Sequence, residues 1–336
     1  MSKSFVVAVA GATGAVGREM LRTLEQRRFP VSRLVALASK RSAGQRLPWK
    51  GGEVVVDELG PKSFDGVDVA LFSAGAGPSR EYGPIAAKAG AVVIDNSSAW
   101  RMDPDVPLVV PEVNMAAAEK RPKGIIANPN CSTIQMVVAL KPLHDAARIK
   151  HIVVSTYQAT SGKGQAAVED LLQQARSFLD SGTVKPAVFP GQIAFNVLSD
   201  WKPGEGDYSE EELKMVFETR KIMGDESIGV SPTTVRVPVV NGHSEAVHVQ
   251  FHRAMSAEEA KRLLKDAEGV VLMADAYAPG KHPQPATASG TDPVYVGRIR
   301  EDLAVKGALN MFVVADNLKK GAALNAVQIA ERLFVK

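Results

Sequence analysis

A single cysteine, Cys131, stands in a chain of 336 residues, so no internal disulfide can form, and a reducing compartment, the cytoplasm, is the expected setting. No apolar run approaches the roughly 18 residues a membrane-spanning helix requires. The opening residues carry one lysine and a strand-like run broken at Gly11, too short for a secretory leader. Neither sign of charge is in excess. Lys and Arg number 40 against 37 Asp and Glu, a net +3 that argues against nucleic acid or an anionic membrane as partner. Six histidines and the cysteine lie scattered without metal-ligand spacing, so no metal is expected. Repeats and low-complexity stretches are missing too. What remains is an ordinary globular composition, 45% hydrophobic and 23% charged, long enough for two domains and a large core.

The most informative stretch surrounds the cysteine. A short apolar run, Gly124 to Ala127, ends in Asn128-Pro129-Asn130, and apolar residues then recur at helical spacing to Leu140. That pattern predicts strand, tight turn, helix. Cys131 falls where the helix begins, among capping types Asn130, Ser132 and Thr133. Unpaired N–H groups and the helix dipole there favour a thiolate, the reactive form of the side chain. The competing reading is a small buried hydrophobe.

The first third of the chain reads as alternating strands and helices. Phe5 to Ala10 is a buried strand, Gly11-Ala12-Thr13-Gly14-Ala15-Val16-Gly17 a glycine-rich turn, and Arg18 to Leu24 a helix. Glycines in that context let the backbone approach a pyrophosphate whose charge rests on the helix start. The second strand, Leu34 to Ala38, runs into Ser39-Lys40-Arg41-Ser42. Hydroxyls and cations suit a ribose 2′-phosphate where an acid would suit the 2′-hydroxyl, so NADP is preferred over NAD. Further strands at 68–72 and 91–95, with a helix from Tyr82 to Ala89 between them, predict a doubly wound parallel (Rossmann-type) sheet. Ligands of such sheets lie beyond the strand C-termini. Arg101, after the 91–95 strand, is a candidate phosphate ligand or a surface arginine.

Beyond Leu140 the pattern changes. Strands are expected at 151–159, 233–239, 246–251, 294–299 and 310–314, and helices at 167–178 and 210–223, with a loop-rich stretch at 180–210. Few crossover helices among these strands predict an α+β domain with a mixed or antiparallel sheet. Thr160 to Gln165 reads as a loop able to line a cofactor or phosphate. Thr234 and Arg236 share one strand face, with Val237 and Val239 on the apolar other. Arg236, an inward charge, suits two-point contact with a carboxylate. His243, in an expected turn Asn241 to Glu245, is the histidine best placed to serve a thiol. The division follows at residue 130: a nucleotide domain 1–130, rejoined by an amphipathic helix 317–336, and a catalytic and dimerisation domain 131–316.

Five motifs together resemble those of the aspartate-β-semialdehyde dehydrogenases: Gly11 to Gly17, Asn128-Pro-Asn-Cys131-Ser-Thr, Tyr157-Gln158-Ala-Thr-Ser-Gly162, Arg236-Val-Pro-Val and Gly242-His243-Ser-Glu. The resemblance spans essentially the whole chain in order and spacing, including Asp316-Asn317-Leu318. It implies that Cys131 is the acyl-thioester nucleophile, His243 the acid/base, and Gln158 the group orienting the reacting centre. It further implies Arg236 on the substrate α-carboxylate, Glu211 on its amino group, and Arg101 and Lys214 on phosphate. Gly11, Ala12, Thr13, Gly14, Ala15, Val16, Ser39, Lys40, Arg41, Ser42, Ser161, Gly162 and Asn317 would contact NADP. An alignment slip would exchange Glu211 with Glu210 or Glu212. The implied substrates are aspartyl phosphate, or aspartate semialdehyde with inorganic phosphate, in lysine, threonine, methionine, isoleucine and diaminopimelate biosynthesis. A homodimer is expected from the resemblance and from the Val237/Val239 face. Two other readings stay open: a reductase of the N-acetyl-γ-glutamyl-phosphate type, and a non-catalytic nucleotide-binding relative.

Overall fold

The computed structural model describes residues 3–199, 201–274, 278 and 280–335. The chain folds into two compact units, Met1–Asn130 with Ala322–Lys336, and Cys131–Gly321. Lys336, counted in the expected terminal helix, lies outside the described residues.

The first unit contains β1 (Phe5–Ala10), α1 (Ala15–Gln26), β2 (Val31–Ala38), β3 (Arg46–Trp49), β4 (Gly52–Glu58), β5 (Val69–Phe72), α2 (Ala76–Lys88), β6 (Val92–Asp95), α3 (Pro111–Asn114) and β7 (Ile125–Ala127). Its sheet runs β3-β4-β2-β1-β5-β6-β7. All neighbours are parallel except β3 and β4. Val7, Ala8, Val9 and Ala10 are fully buried, as a strand covered on both faces must be. From β1 the chain steps outward to β2 and later returns to β5 on the other side. The strand order therefore reverses between β1 and β5, where sheets of this kind bind ligands. The β3–β4 hairpin is an element that the sequence pattern does not announce. Trp49 pairs with Gly52, and Lys50 and Gly51 between them both have positive φ, the signature of a two-residue turn. The terminal helix, Leu324–Phe334, follows a π-helical turn at Lys319–Ala323 instead of running unbroken from residue 317. Its Ala326, Val327, Ile329 and Ala330 share a core with Phe5, Val7, Met20 and Leu24.

The second unit contains α4 (Cys131–Ala147), β8 (Ile149–Gln158), α5 (Gln165–Ser181), α6 (Glu210–Met223), β9 (Gly229–Arg236), β10 (His243–Phe251), α7 (Ala257–Lys265), β11 (Val270–Met273), α8 (Pro285–Ala288), β12 (Val294–Glu301) and β13 (Leu309–Ala315). The sheet is mixed, in the order β11-β12-β13-β10-β8-β9. The end pairs β11–β12 and β8–β9 are parallel and the rest antiparallel. Helix α4 packs against β8, β10, β12 and β13. On the opposite face Val153 and Tyr157 are each 40% exposed, and the Tyr157 ring lies 6.3 Å from that of Phe312.

Two expectations about this unit need correction. Strand β9 ends at Arg236, so Val237 and Val239 form no strand face. Pro238 has no N–H to offer a ladder, and Val239 N bonds back to Val237 O in a tight turn. His243 is not a turn residue: it opens β10, paired with Ala315, and is wholly buried. The turn stops at Gly242, whose φ of +92° only glycine adopts readily.

Candidate active site

In the second unit the chemistry gathers where three strands end or begin. Gln158 and Arg236 close β8 and β9 and are register partners. His243 opens β10, one step past the Ser244–Tyr157 pair, which sets it beside Gln158. Side chains alternate along strands, so all three point to the helix-covered face. Cys131 is the first residue of α4, at the helix end where N–H groups lack intrahelical partners. Two glycines let main chain press against these groups. A Cβ on Gly162 would sit 2.9 Å from Arg236 Nη1 and 3.1 Å from His243 Nε2, and one on Gly321 would sit 2.8 Å from Cys131 Cβ.

The hydrogen bonds connect the candidates to one another. Gln158 Nε2 donates to Ser132 Oγ at 2.9 Å and to Glu211 Oε1 at 3.2 Å. Lys214 Nζ meets the other Glu211 oxygen at 3.0 Å. The neighbouring acids are engaged elsewhere: Glu210 pairs with Lys202, and Glu212 closes a capping box with Ser209 and accepts from Thr234 N. The capping box fixes the helix phase, so Glu211 is the one acid of the three that turns inward. Arg236 Nη1 donates to Ala159 O at 2.7 Å, and its guanidinium stacks over Trp201 at 4.5 Å. Burial works against the Arg236 charge, while Cys131 and Glu211 hold it in place.

His243 is the most constrained of the group. Its Nδ1 accepts the Ala159 N–H at 3.0 Å. An acceptor nitrogen carries no proton, so the neutral ring keeps its hydrogen on Nε2. That atom has no hydrogen-bond partner among the described residues. Burial first, then Arg236, push the imidazole down to about 3, with Glu211 opposing. The ring is thus a neutral Nε2–H donor throughout the physiological range. Nearby, Ser161 Oγ and the Asn317 amide hydrogen-bond each other, and Asn317 Oδ1 accepts Gly242 N.

The first unit carries the other candidates. Gly11 has φ +85°, and a Cβ there would lie 2.4 Å from Ser73 O in the loop after β5. A Cβ on Gly17 would lie 2.1 Å from Gly11 O. The turn is therefore closed to any side chain at either position. Gly14 caps α1 without a side-chain hydrogen bond, which leaves the first-turn N–H groups to an anion. Ala12 is buried beneath, Thr13 completes the turn, and Ala15 and Val16 open α1. Lys40–Ser42 forms an exposed 3₁₀ turn directly after β2, with Ser39 as its cap. These residues fit a dinucleotide phosphate and a charged ribose substituent. Arg101 is not a surface residue; it is 9% exposed, and its guanidinium donates to the Asn96 and Ser97 carbonyls. Asn128 donates to Asn96 and accepts from Asn325 at 2.7 Å each, fixing the turn that precedes Cys131.

Sequence reasoning missed Ser132, Trp201, Gln135, Asn325 and Glu245. Ser132, Trp201, Gln135 and Asn325 make polar contacts with residues distant in sequence, and the Glu245 carboxyl is buried with no hydrogen-bond partner among the described residues; no local periodicity marks either. Ser132 alone had a signal, its place beside the cysteine.

The comparisons bear on both units. The NAD-binding domain model of the semialdehyde dehydrogenases matches residues 6–121, and their dimerisation domain model matches 140–320. An aspartate-semialdehyde dehydrogenase of Aquifex aeolicus is 55% identical over 331 residues, 97% of each chain. A crystal structure of aspartate semialdehyde dehydrogenase II from Vibrio cholerae, complexed with ASA, superposes with a TM-score of 0.95 at 48% identity, covering 99% of this chain and 98% of that one. A Candida albicans aspartate semialdehyde dehydrogenase with NADP gives 0.77 at 28% identity, covering 98% of both.

Proposed function

Because the chain belongs to the aspartate-semialdehyde dehydrogenase family, we propose that it reduces L-aspartyl-4-phosphate to L-aspartate 4-semialdehyde with release of phosphate, through a thioester on Cys131. The observation that carries this reading is the cluster in the second unit: a sulfur at a helix start, a buried guanidinium charge-coupled to it, and a neutral imidazole N–H with nothing to bond.

In the reductive direction the Cys131 thiolate attacks the acyl carbon, and the oxyanion accepts the His243 Nε2–H. Its collapse expels phosphate and leaves the thioester. A nicotinamide nucleotide held by the first unit's glycine-rich turn would supply the hydride that reduces this acyl group. The second oxyanion leans on the same Nε2–H and collapses to the aldehyde, returning the thiolate. Both collapses regenerate the starting protonation state of His243, so the ring need never become imidazolium. Arg236 holds the α-carboxylate in two-point contact, Glu211 the amino group, and Gln158 orients the reacting centre. Lys214 takes phosphate, and Arg101 is assigned phosphate on the resemblance alone. Gly11 to Val16 cradle the pyrophosphate; Ser161, Gly162 and Asn317 are assigned to the cofactor as well. Ser39, Lys40, Arg41 and Ser42, with no acid among them, favour NADP over NAD.

Absorbance at the nicotinamide band tests this directly. With aspartate semialdehyde, reduction of NADP should require phosphate and outpace reduction of NAD. Turnover of N-acetylglutamyl phosphate with none of aspartyl phosphate would move the assignment to the other reductase class.

We also propose a homodimer built on the open face of the second sheet, where Tyr157 and Val153 are exposed beside Phe312. Light scattering should give twice the 35.8 kDa chain mass, and Tyr157→Glu should shift it toward the monomer. A monomer at micromolar concentration for the unaltered chain would refute it.

A further inference from the structure

Behind the row of His243, Gln158 and Arg236 lies a second buried polar row. Two residues along the same strands stand Glu245, Thr156 and Thr234, register partners on one face: Glu245 with Thr156, and Thr156 with Thr234. All are at most 1% exposed. On its other side Glu245 is paired with Val313.

Over this row lies Gln135, one helical turn along α4 from Cys131 and fully buried. Its Nε2 reaches the main-chain carbonyl of His243 at 3.4 Å. Among the described residues its Oε1 has no donor, and neither carboxyl oxygen of Glu245 has one either. Gln135 Oε1 and the Glu245 carboxyl, whose ionisation the Gln135 amide influences, are thus buried acceptors with no donor among the described residues. An ionised carboxylate in that setting faces the full cost of desolvation with no hydrogen bond to offset it. Burial drives the Glu245 carboxyl well above its ordinary range, and the Gln135 amide opposes this only in part. No charge helps. The register partners of Glu245 are Thr156 on β8 and Val313 on β13, the Gln135 amide on α4 acts on it, and His243 stands two residues before it on its own strand. Of these only His243 titrates, and it is already neutral above about 3. One proton on the carboxyl supplies the donor that is missing.

We propose that Glu245 is a neutral carboxylic acid whose O–H donates to Gln135 Oε1, and that this chain, running on through Gln135 Nε2 to the His243 carbonyl, braces the helix of the nucleophile against the strand of the histidine. Glu245 is then a positioning residue. It touches no substrate and sets the separation of Cys131 from His243. The brace rests on the reaction assigned above.

Two variants and one spectrum test it. Glu245→Gln keeps the shape and a donating N–H, so it should retain kcat within about threefold and an unchanged pH profile. Glu245→Ala removes the donor and should lower kcat roughly 10- to 100-fold with KM for the semialdehyde and for phosphate unchanged, since misplacement by about an ångström costs that much. Alkylation of Cys131 by iodoacetamide, followed against pH, should shift in Glu245→Ala and not in Glu245→Gln. Infrared spectra of the full chain at pH 8 should contain the C=O stretch of a protonated acid that Glu245→Gln abolishes. Equal losses in the two variants would mean that the carboxylate is the working form, and wild-type kcat in Glu245→Ala would mean that there is no brace; either overturns the proposal. If Glu245→Ala does not fold, the infrared band alone decides, and its absence refutes the idea. Failure of the assigned reaction is separate, since it would appear as an unaltered chain that does not turn over semialdehyde.

Discussion

Cys131→Ala should lower phosphate-dependent NADP reduction by about 10,000-fold or more, because the covalent route vanishes and only binding and oxyanion stabilisation remain. Cysteine suits this position because its thioester is activated toward both hydride and phosphate. Cys131→Ser keeps the volume but offers an alcohol that ionises far less readily, and it should fall nearly as far. Neither change should unfold the chain. The side chain is only partly buried, and the main chain of Gly321 packs against its Cβ, which alanine and serine both retain. Equal melting temperatures with activity lost would assign the defect to chemistry. Retained activity in Cys131→Ala would remove the nucleophile from the scheme.

Local features of this fold were legible, and long-range ones were not. Strand, turn and helix around Cys131 can be read from Gly124 to Leu140, because each signal lies within a few residues of the structure it specifies. The same holds for Gly11 to Gly17, and for α6, which the Ser209–Glu212 capping box starts at Glu210. His243 was placed in a turn because its strand status depends on Ala315, 72 residues away, which no local pattern reports. Val237 and Val239 alternate like a strand, yet Pro238 ends the ladder there. The short β3–β4 hairpin hid because its turn, Lys50-Gly51, lacks the Asn-Gly or Asp-Gly pair that usually marks one. Glu245 was seen only as the last letter of a motif. Its meaning comes from Gln135, on a different element, and from carboxyl oxygens without a hydrogen-bond partner among the described residues. Among three adjacent acids, Glu211 was separable only once the phase of α6 was known.

His243→Ala should lower kcat about 1,000-fold with little change in KM for the semialdehyde, the cost of losing one oriented donor to the two developing oxyanions. His243→Gln should recover part of that loss, since its amide N–H can stand where Nε2–H stood. The pH dependence separates this role from that of a base. A group held down to about 3 is neutral at every pH from 5 to 9, so the acid limb of kcat should persist unchanged in His243→Gln. A base with an ordinary value near 6.5 would instead lose its limb with the residue. Stability carries the opposite sign. The folded ring resists protonation while the unfolded one accepts a proton below 6.5, so the unfolded state binds more protons between those two values. Wild-type stability is therefore lost as pH falls through that window, and glutamine has no such proton to take up. The melting temperature of His243→Gln, relative to that of the unaltered chain, should rise steadily between pH 7 and pH 5. A constant difference over that range, or an acid limb that disappears with the histidine, would mean that His243 titrates near its ordinary value in the folded enzyme and, in its neutral form, serves as the base.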